Sequence, residues 1–337
     1  MRAPGLVTIA VGLCGLAAVM ASTTPAPSGP VRSPVSASLR SNLADVAVRP
    51  GVQQAGRVQA SPPTTADCEK AYKVACYHPA QIQQAYDLPS LYASGVTGRG
   101  TTIVIVDSFG SPTIRNDLKV FDKAFGLPAP PAFGIIQPAG RVPSYDPSNS
   151  DMVGWAAETT LDVEYAHVIA PGARILLVET PVSETEGVHG FPQIVKAEEF
   201  VIRHHLGDVI SQSFSATEQT FPSRAAVQAL RGVYQLAARN HVTVLAAAGD
   251  SGAADVKRDE STYYPFPVTS WPDSDPLVTG VGGTQLRDTA KHGWRSVVWN
   301  DTYNVPTQQY IFGNKGPNPL AGGGGKSVIF ARPWYQN

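Results

Sequence analysis

Charge is scarce in this sequence. Asp, Glu, Lys and Arg make up only 16% of its 337 residues and sum to −1, where an ordinary soluble chain carries about a quarter. The near balance gives no electrostatic basis for gripping a phosphate backbone and excludes a dedicated nucleic-acid binder. The scarcity itself excludes a charged coiled coil or an acidic disordered chain. Cysteine is nearly absent, at three residues, and no Cys or His pair stands at zinc-ligand spacing. Long apolar runs are absent too, apart from one at the start, so nothing after it reaches the length of a membrane span. In excess are 31 Gly and 29 Pro, together about 18% of the chain against an average of about 12%. That is a turn-rich composition, on a chain long enough for one large or two ordinary domains.

The one apolar run lies where an export signal lies. Met1 and Arg2 supply a positive start, Leu6 to Met20 is apolar, and Val19-Met20-Ala21 suits signal-peptidase cleavage before Ser22. At about 15 residues the run is short for a span of roughly 20. Residues 1–21 are therefore expected to be a signal peptide, and the mature protein to be secreted and free of the membrane. Cys14 would leave with the signal, because Leu13 before it is not the small residue of a lipoprotein signal. Cys68 and Cys76 can then bridge in an oxidising compartment. Between Ser22 and Ala66 stand seven Pro, four Arg, one Asp and no aromatic residue. Such a stretch cannot bury enough apolar surface to offset its ordering entropy, so 22–66 reads as a linker and 67–337 as the folded domain.

Within that domain, strand-like runs alternate with helical stretches. Thr101–Asp107, Ala173–Val178, Asp208–Ser213, Val242–Ala248 and Leu277–Val281 read as strands. Pro112–Phe125, Trp155–Val168, Pro192–His205 and Arg224–Asn240 read as helices. Continuous apolar strands interleaved with helices predict an α/β fold, a parallel sheet covered on both faces, with ligands outside the carboxyl ends of the strands. Asp107, Ser213 and Asp250 fall at that edge.

Three short motifs do not fit this context. Gly249-Asp250-Ser251-Gly252 looks like the nucleophile signature of trypsin-like proteases, but those are antiparallel barrels and this tetrapeptide follows a β/α strand. Gly322-Gly-Gly-Gly-Lys-Ser327 resembles a phosphate loop, yet Leu320 stands where that pattern needs Gly, so a flexible or tightly packed turn is expected. No G-x-S-x-G elbow occurs, which disfavours an α/β-hydrolase. The stronger chemical signal is Glu158-Thr-Thr-Leu-Asp162, two acids one helical turn apart on one face. From spacing alone a solvated helix face explains them. Taken with the strand-end acids Asp107 and Asp250, they allow carboxyl groups to converge above one sheet edge.

Gly98-Arg-Gly-Thr-Thr-Ile-Val-Ile-Val-Asp107, Glu158-Thr-Thr-Leu-Asp162, Val209-Ile-Ser-Gln-Ser-Phe214, Ala246-Ala-Ala-Gly-Asp-Ser-Gly252, Tyr263-Tyr-Pro-Phe-Pro267, Val278-Thr-Gly-Val-Gly-Gly-Thr284 and Gly322-Gly-Gly-Gly-Lys-Ser-Val-Ile-Phe-Ala-Arg-Pro333 follow one another in this order. Together they resemble the sedolisins, the serine-carboxyl peptidases with a subtilisin-like fold, over about residues 81 to 336. The resemblance implies that Glu158 is the catalytic glutamate, Asp162 the catalytic aspartate and Asp250 the acid of the oxyanion hole. It implies that Asp107 hydrogen-bonds behind the glutamate. Ser213 and Phe214 occupy a substrate-binding segment that is Ser-Trp-Gly in many members, from which Phe214-Ser215 departs.

The resemblance also implies a mechanism. A serine hydroxyl becomes nucleophilic when a carboxylate takes its proton, a second acid orients that carboxylate, and a protonated Asp donates to the oxyanion. Close carboxyl groups raise one another's pKa, so catalysis is expected at acidic pH, on peptide or protein substrates, by a monomer. In sedolisins the nucleophile lies in a G-T-S-x-x-x-P segment downstream of the glycine turn, ahead of a calcium loop. No G-T-S occurs in this sequence. No cofactor is expected in this chain, the calcium site falling beyond residue 337, and no turnover is expected from it as given. Two readings stay open: a C-terminally truncated acid peptidase, endopeptidase or tripeptidyl peptidase, or a non-catalytic secreted pseudoenzyme that binds peptides.

Overall fold

A computed structural model describes residues 61–183, 190–257, 262–289, 293–311 and 316–336. The expected signal peptide, Cys14 and most of the expected linker lie outside the described residues. Three short helices come first: α1 (Thr65–Tyr72), α2 (Pro79–Ala85) and α3 (Leu88–Ala93). Thr64 caps α1, its hydroxyl accepting from the Asp67 amide while the Asp67 carboxylate accepts from the Thr64 amide. The helix thus begins inside the stretch read as linker. A disulfide joins Cys68 to Cys76, with Cα atoms 5.9 Å apart, and ties α1 to the approach of α2.

The α/β body follows in order: β1 (Thr102–Ser108), α4 (Ile114–Phe125), β2 (Phe133–Ile136), α5 (Ser150–Ile169), β3 (Arg174–Thr180), α6 (Phe191–Arg203), β4 (Val209–Gln212), β5 (Ala216–Thr217), α7 (Arg224–Leu230), α8 (Gly232–Arg239), β6 (Thr243–Ala247), β7 (Ser270–Trp271), β8 (Thr279–Val281), β9 (Thr284–Thr289) and β10 (Gly293–Val298). Six strands form one parallel sheet in the order β2-β3-β1-β4-β6-β8. β9 and β10 pair antiparallel beside it.

Strand alternation decides which helices cover which face. On β1, Ile105 points to one side, where it packs with Ile114 and Leu118 of α4, Val163 of α5, and Ile175 and Leu177 of β3. Val104 and Val106 point the other way, into a larger core with Ile194 and Val201 of α6, Val227 of α7, Tyr234 of α8 and Trp271. Both faces are dry, which explains why β1 reads as one continuous apolar run instead of an alternating one.

Several elements differ from the sequence reading. α5 begins at Ser150, not Trp155; Asn149 caps it by accepting from the amides of Asp151 and Met152. Gly154 in its first turns hides that start, since Gly is about 1 kcal/mol poorer than Ala in a helix. Arg224–Asn240 is two helices, not one, broken at Arg231 just before Gly232. The Arg231 guanidinium bonds Asp275 at 2.8 Å across that break. β2 and the β9–β10 hairpin carry too little periodic apolar signal to be read from sequence.

Candidate active site

The strand order brings three residues of distant sequence together. β1, β4 and β6 are adjacent, and Asp107 ends β1, Ser213 directly follows β4, and Asp250 follows β6. The chain crosses from one side of β1 to the other between β3 and β4, so this is the switch point where parallel α/β sheets place their ligands. Asp107 shares the face of Ile105, the face that α5 covers. α5 in turn carries Glu158 and Asp162, one turn apart.

The structure therefore gathers Asp107, Glu158, Asp162 and Asp250 around Ser213. Ser213 lies close enough to both Glu158 and Asp162, and Asp107 close enough to Asp162, for each to act on the carboxyl beside it. Carboxyl groups crowded together away from solvent disfavour a full charge on every one of them. Loss of solvent pushes the Glu158 carboxyl well above the usual carboxylate range, and the charges of Asp162, Asp107 and Asp250 push it further. Burial raises Asp162 to about 6 against the lowering influence of Ser213 and Asp107. Asp250 keeps an exposed side chain, yet surrounding protein crowds it enough that desolvation, then the neighbouring Asp255, lifts it to about 6. Near that pH the group holds both ionised and protonated members, the state a base and an acidic hydrogen-bond donor require together.

The glycine run fixes where Asp250 sits. The Ala321 amide donates to the Asp250 carbonyl at 2.8 Å, and the Gly323 amide to the Gly249 carbonyl at 2.8 Å. A Cβ on Gly323 would overlap the Ala248 carbonyl oxygen. Of the two readings of this turn, close packing is the one the structure shows. Beyond it, Glu218 holds the chain: its carboxylate accepts from the Ser327 hydroxyl at 2.6 Å and the Val328 amide at 2.7 Å. Ser327 is thus fastened in a turn. A cavity of about 1150 Å³ opens beside this segment, lined by Asp273, Lys326, Ser327, Arg332 and Tyr335 among others, and none of the four acids lines it.

Ser213 and Phe214 separate in role. Phe214 is 1% exposed and packs on Phe191 with ring centroids 6.0 Å apart, so its side chain lies in the core and meets no substrate. Period-two alternation already points to this, since Ile210 and Phe214 share one side and Ser211 and Ser213 the other. Ser213 turns to the acids. Sequence reasoning missed both the place of Ser213 among the acids and Asp255, whose only signal is its place five residues after Asp250. Among the described residues no group of three or more His, Cys, Asp and Glu is arranged to hold a metal ion.

The chain resembles known peptidases. No family model matches it. Kumamolisin from Bacillus sp. (strain MN-32) is 30% identical over 261 residues, spanning 77% of this chain and 41% of the relative. Sedolisin from Pseudomonas sp. (strain 101) is 24% identical over 266 residues, with the same 77% and 41% coverage. A structure of Pseudomonas sedolisin, a serine-carboxyl proteinase complexed with two molecules of pseudo-iodotyrostatin, superposes with a TM-score of 0.58 at 23% identity. The match covers 77% of this chain and 65% of that one. The chain thus spans about two fifths of the length of these two curated relatives. It is related to the sedolisin family and has that family's subtilisin-like α/β fold. Among the described residues no helix is long and apolar enough to cross a membrane.

Proposed function

We propose that this chain carries the acid half of a secreted serine-carboxyl peptidase site that hydrolyses peptide bonds at acidic pH. The observation that carries the reading is the convergence of Glu158, Asp162 and Asp107 on Ser213 beside Asp250. In it Glu158 takes the proton of a nucleophilic serine, and Asp162, which lies beside Asp107, orients Glu158 and shares its charge. Protonated Asp250 donates to the oxyanion. The serine belongs to a G-T-S segment, which the 337 residues do not contain. The substrate is a peptide or protein, the class on which the related peptidases act, and export rests on the sequence of residues 1–21.

Cleavage of a fluorogenic peptide mixture between about pH 3 and pH 7 tests the reading. It is measured for the chain alone and for the chain continued by a sedolisin G-T-S segment. Turnover that needs the added segment, peaks in acid and disappears in Glu158→Gln supports it. Turnover indifferent to Glu158→Gln overturns it.

A further inference from the structure

A second group of titratable side chains lies between α4 and α5, apart from the site above. Asp117 and Asp122 of α4 face Glu164 and His167 of α5; Asp117, Glu164 and His167 are 0% exposed and Asp122 is 7% exposed. Neither oxygen of the Glu164 carboxyl has a hydrogen-bond partner, nor has one oxygen of Asp117. The other Asp117 oxygen accepts from the Thr113 hydroxyl at 2.6 Å. His167 Nε2 lies 2.6 Å from the Pro128 carbonyl oxygen, which makes it the donor there, and 3.4 Å from Asp122 Oδ1. Among the described residues the charges that act on Glu164 are those of Asp117 and Asp122. β1 and β3 present Ile105, Ile175 and Leu177, and α2 meets the end of α5 through the Gln83 amide on the Val168 carbonyl.

We infer that this cluster is a proton lock, which clamps α4 onto the site-bearing helix α5 while its carboxyl groups are protonated and loosens the pair when they ionise. The inference goes beyond the peptidase reading and does not depend on it.

The physical case rests on what ionisation would create. Three carboxylates would face one another in a dry contact with one imidazole at its edge, an arrangement far costlier than Leu or Ile at the same positions. Burial pushes Glu164 well above the ordinary carboxylate range, and Asp117 and then Asp122 push it further. Burial also raises Asp117 and Asp122, the latter against the attraction of His167. The folded chain therefore holds more protons than the unfolded chain between the unfolded Glu value, about 4.3, and the raised folded one. The contribution of this cluster to stability must fall as pH rises through that window. The loosening reaches the site because Glu158, Asp162 and Glu164 ride one continuous helix.

Thermal melting and amide hydrogen exchange of the chain at about pH 4, 5.5 and 7, on wild type and Glu164→Gln, test the lock. Gln keeps the shape of the protonated acid and cannot ionise. Wild type should melt lower at each step up in pH. After correction for intrinsic exchange, α4 and α5 amides should open at least about tenfold more at pH 7 than at pH 4, the change one unit of displaced pKa produces. Glu164→Gln should match wild type near pH 4 and lose most of that rise. Where Glu164→Gln does not fold, Asp117→Asn must shrink the rise in the same direction. An unchanged pH response in these variants, or opening confined to α6, α7 and α8, would overturn the inference. Either outcome is read without peptide cleavage and so stands apart from the peptidase reading.

Discussion

Asp162 in the middle of α5 stands beside Asp107 at the end of β1, so that each carboxyl group acts on its neighbour at one edge of the sheet. They stand 55 residues apart in sequence, and the packing of α5 against β1 brings them together. Buried carboxyl groups that share a proton remain partly protonated well above the pH at which a free Asp has lost its own. The charge that Asp162 does carry pushes the Glu158 carboxyl further up.

Asp250 provides the first prediction. In the chain continued by a G-T-S segment, Asp250→Ala should lower kcat by on the order of a hundred- to a thousandfold, since one oxyanion donor is worth roughly 2.7 to 4 kcal/mol. Asp250→Asn keeps a neutral donor and should retain much of the rate. It should also lose the decline near pH 6 that comes from ionisation of Asp250. Kinetics across pH on the two variants check both points.

Glu198 of α6 lies on the opposite face of the sheet, 0% exposed, with neither carboxyl oxygen hydrogen-bonded. Burial lifts it to about 8. The folded state therefore binds the extra proton, and stability falls as pH rises from about 4.3 toward 8. Glu198→Gln should leave stability near pH 4 little changed and raise it at pH 7 by a few kcal/mol, as urea unfolding at the two pH values would show.

Gly323 should tolerate no side chain. Its alanine variant must push the glycine turn off the Ala248 carbonyl, at a cost of about 1–3 kcal/mol. The displacement falls on the Ala321–Asp250 and Gly323–Gly249 bonds that seat Asp250. Melting temperature reports the first effect, and the carboxyl resonance of Asp250 reports the second.

Much of this arrangement is legible in sequence because it depends on strand ends. β/α alternation places Asp107, Ser213 and Asp250 at carboxyl termini, and helical spacing puts Glu158 and Asp162 on one face. The strand order is not legible, since pairing of β1 with β4 and of β4 with β6 is a tertiary choice that no local pattern encodes. Ser213 reads as a substrate contact until the structure shows its hydroxyl among the acids. Phe214 reads the same way until the core around Phe191 takes its ring. Glu164 and His167 pass unnoticed because a buried acid and a solvated one look alike in a helical pattern. Only α4, lying against them, makes the difference.

The central claim is that Glu158, Asp162 and their neighbours hold protons as one unit. Carboxyl-carbon NMR titration of the selectively labelled chain, wild type beside Asp162→Asn, tests it directly. The account predicts that in wild type Glu158 titrates well above the ordinary range and Asp162 near 6, and that Asp162→Asn lowers the Glu158 midpoint by removing the neighbouring charge. Independent titration of both groups near 4, unchanged for Glu158 in the variant, would contradict it.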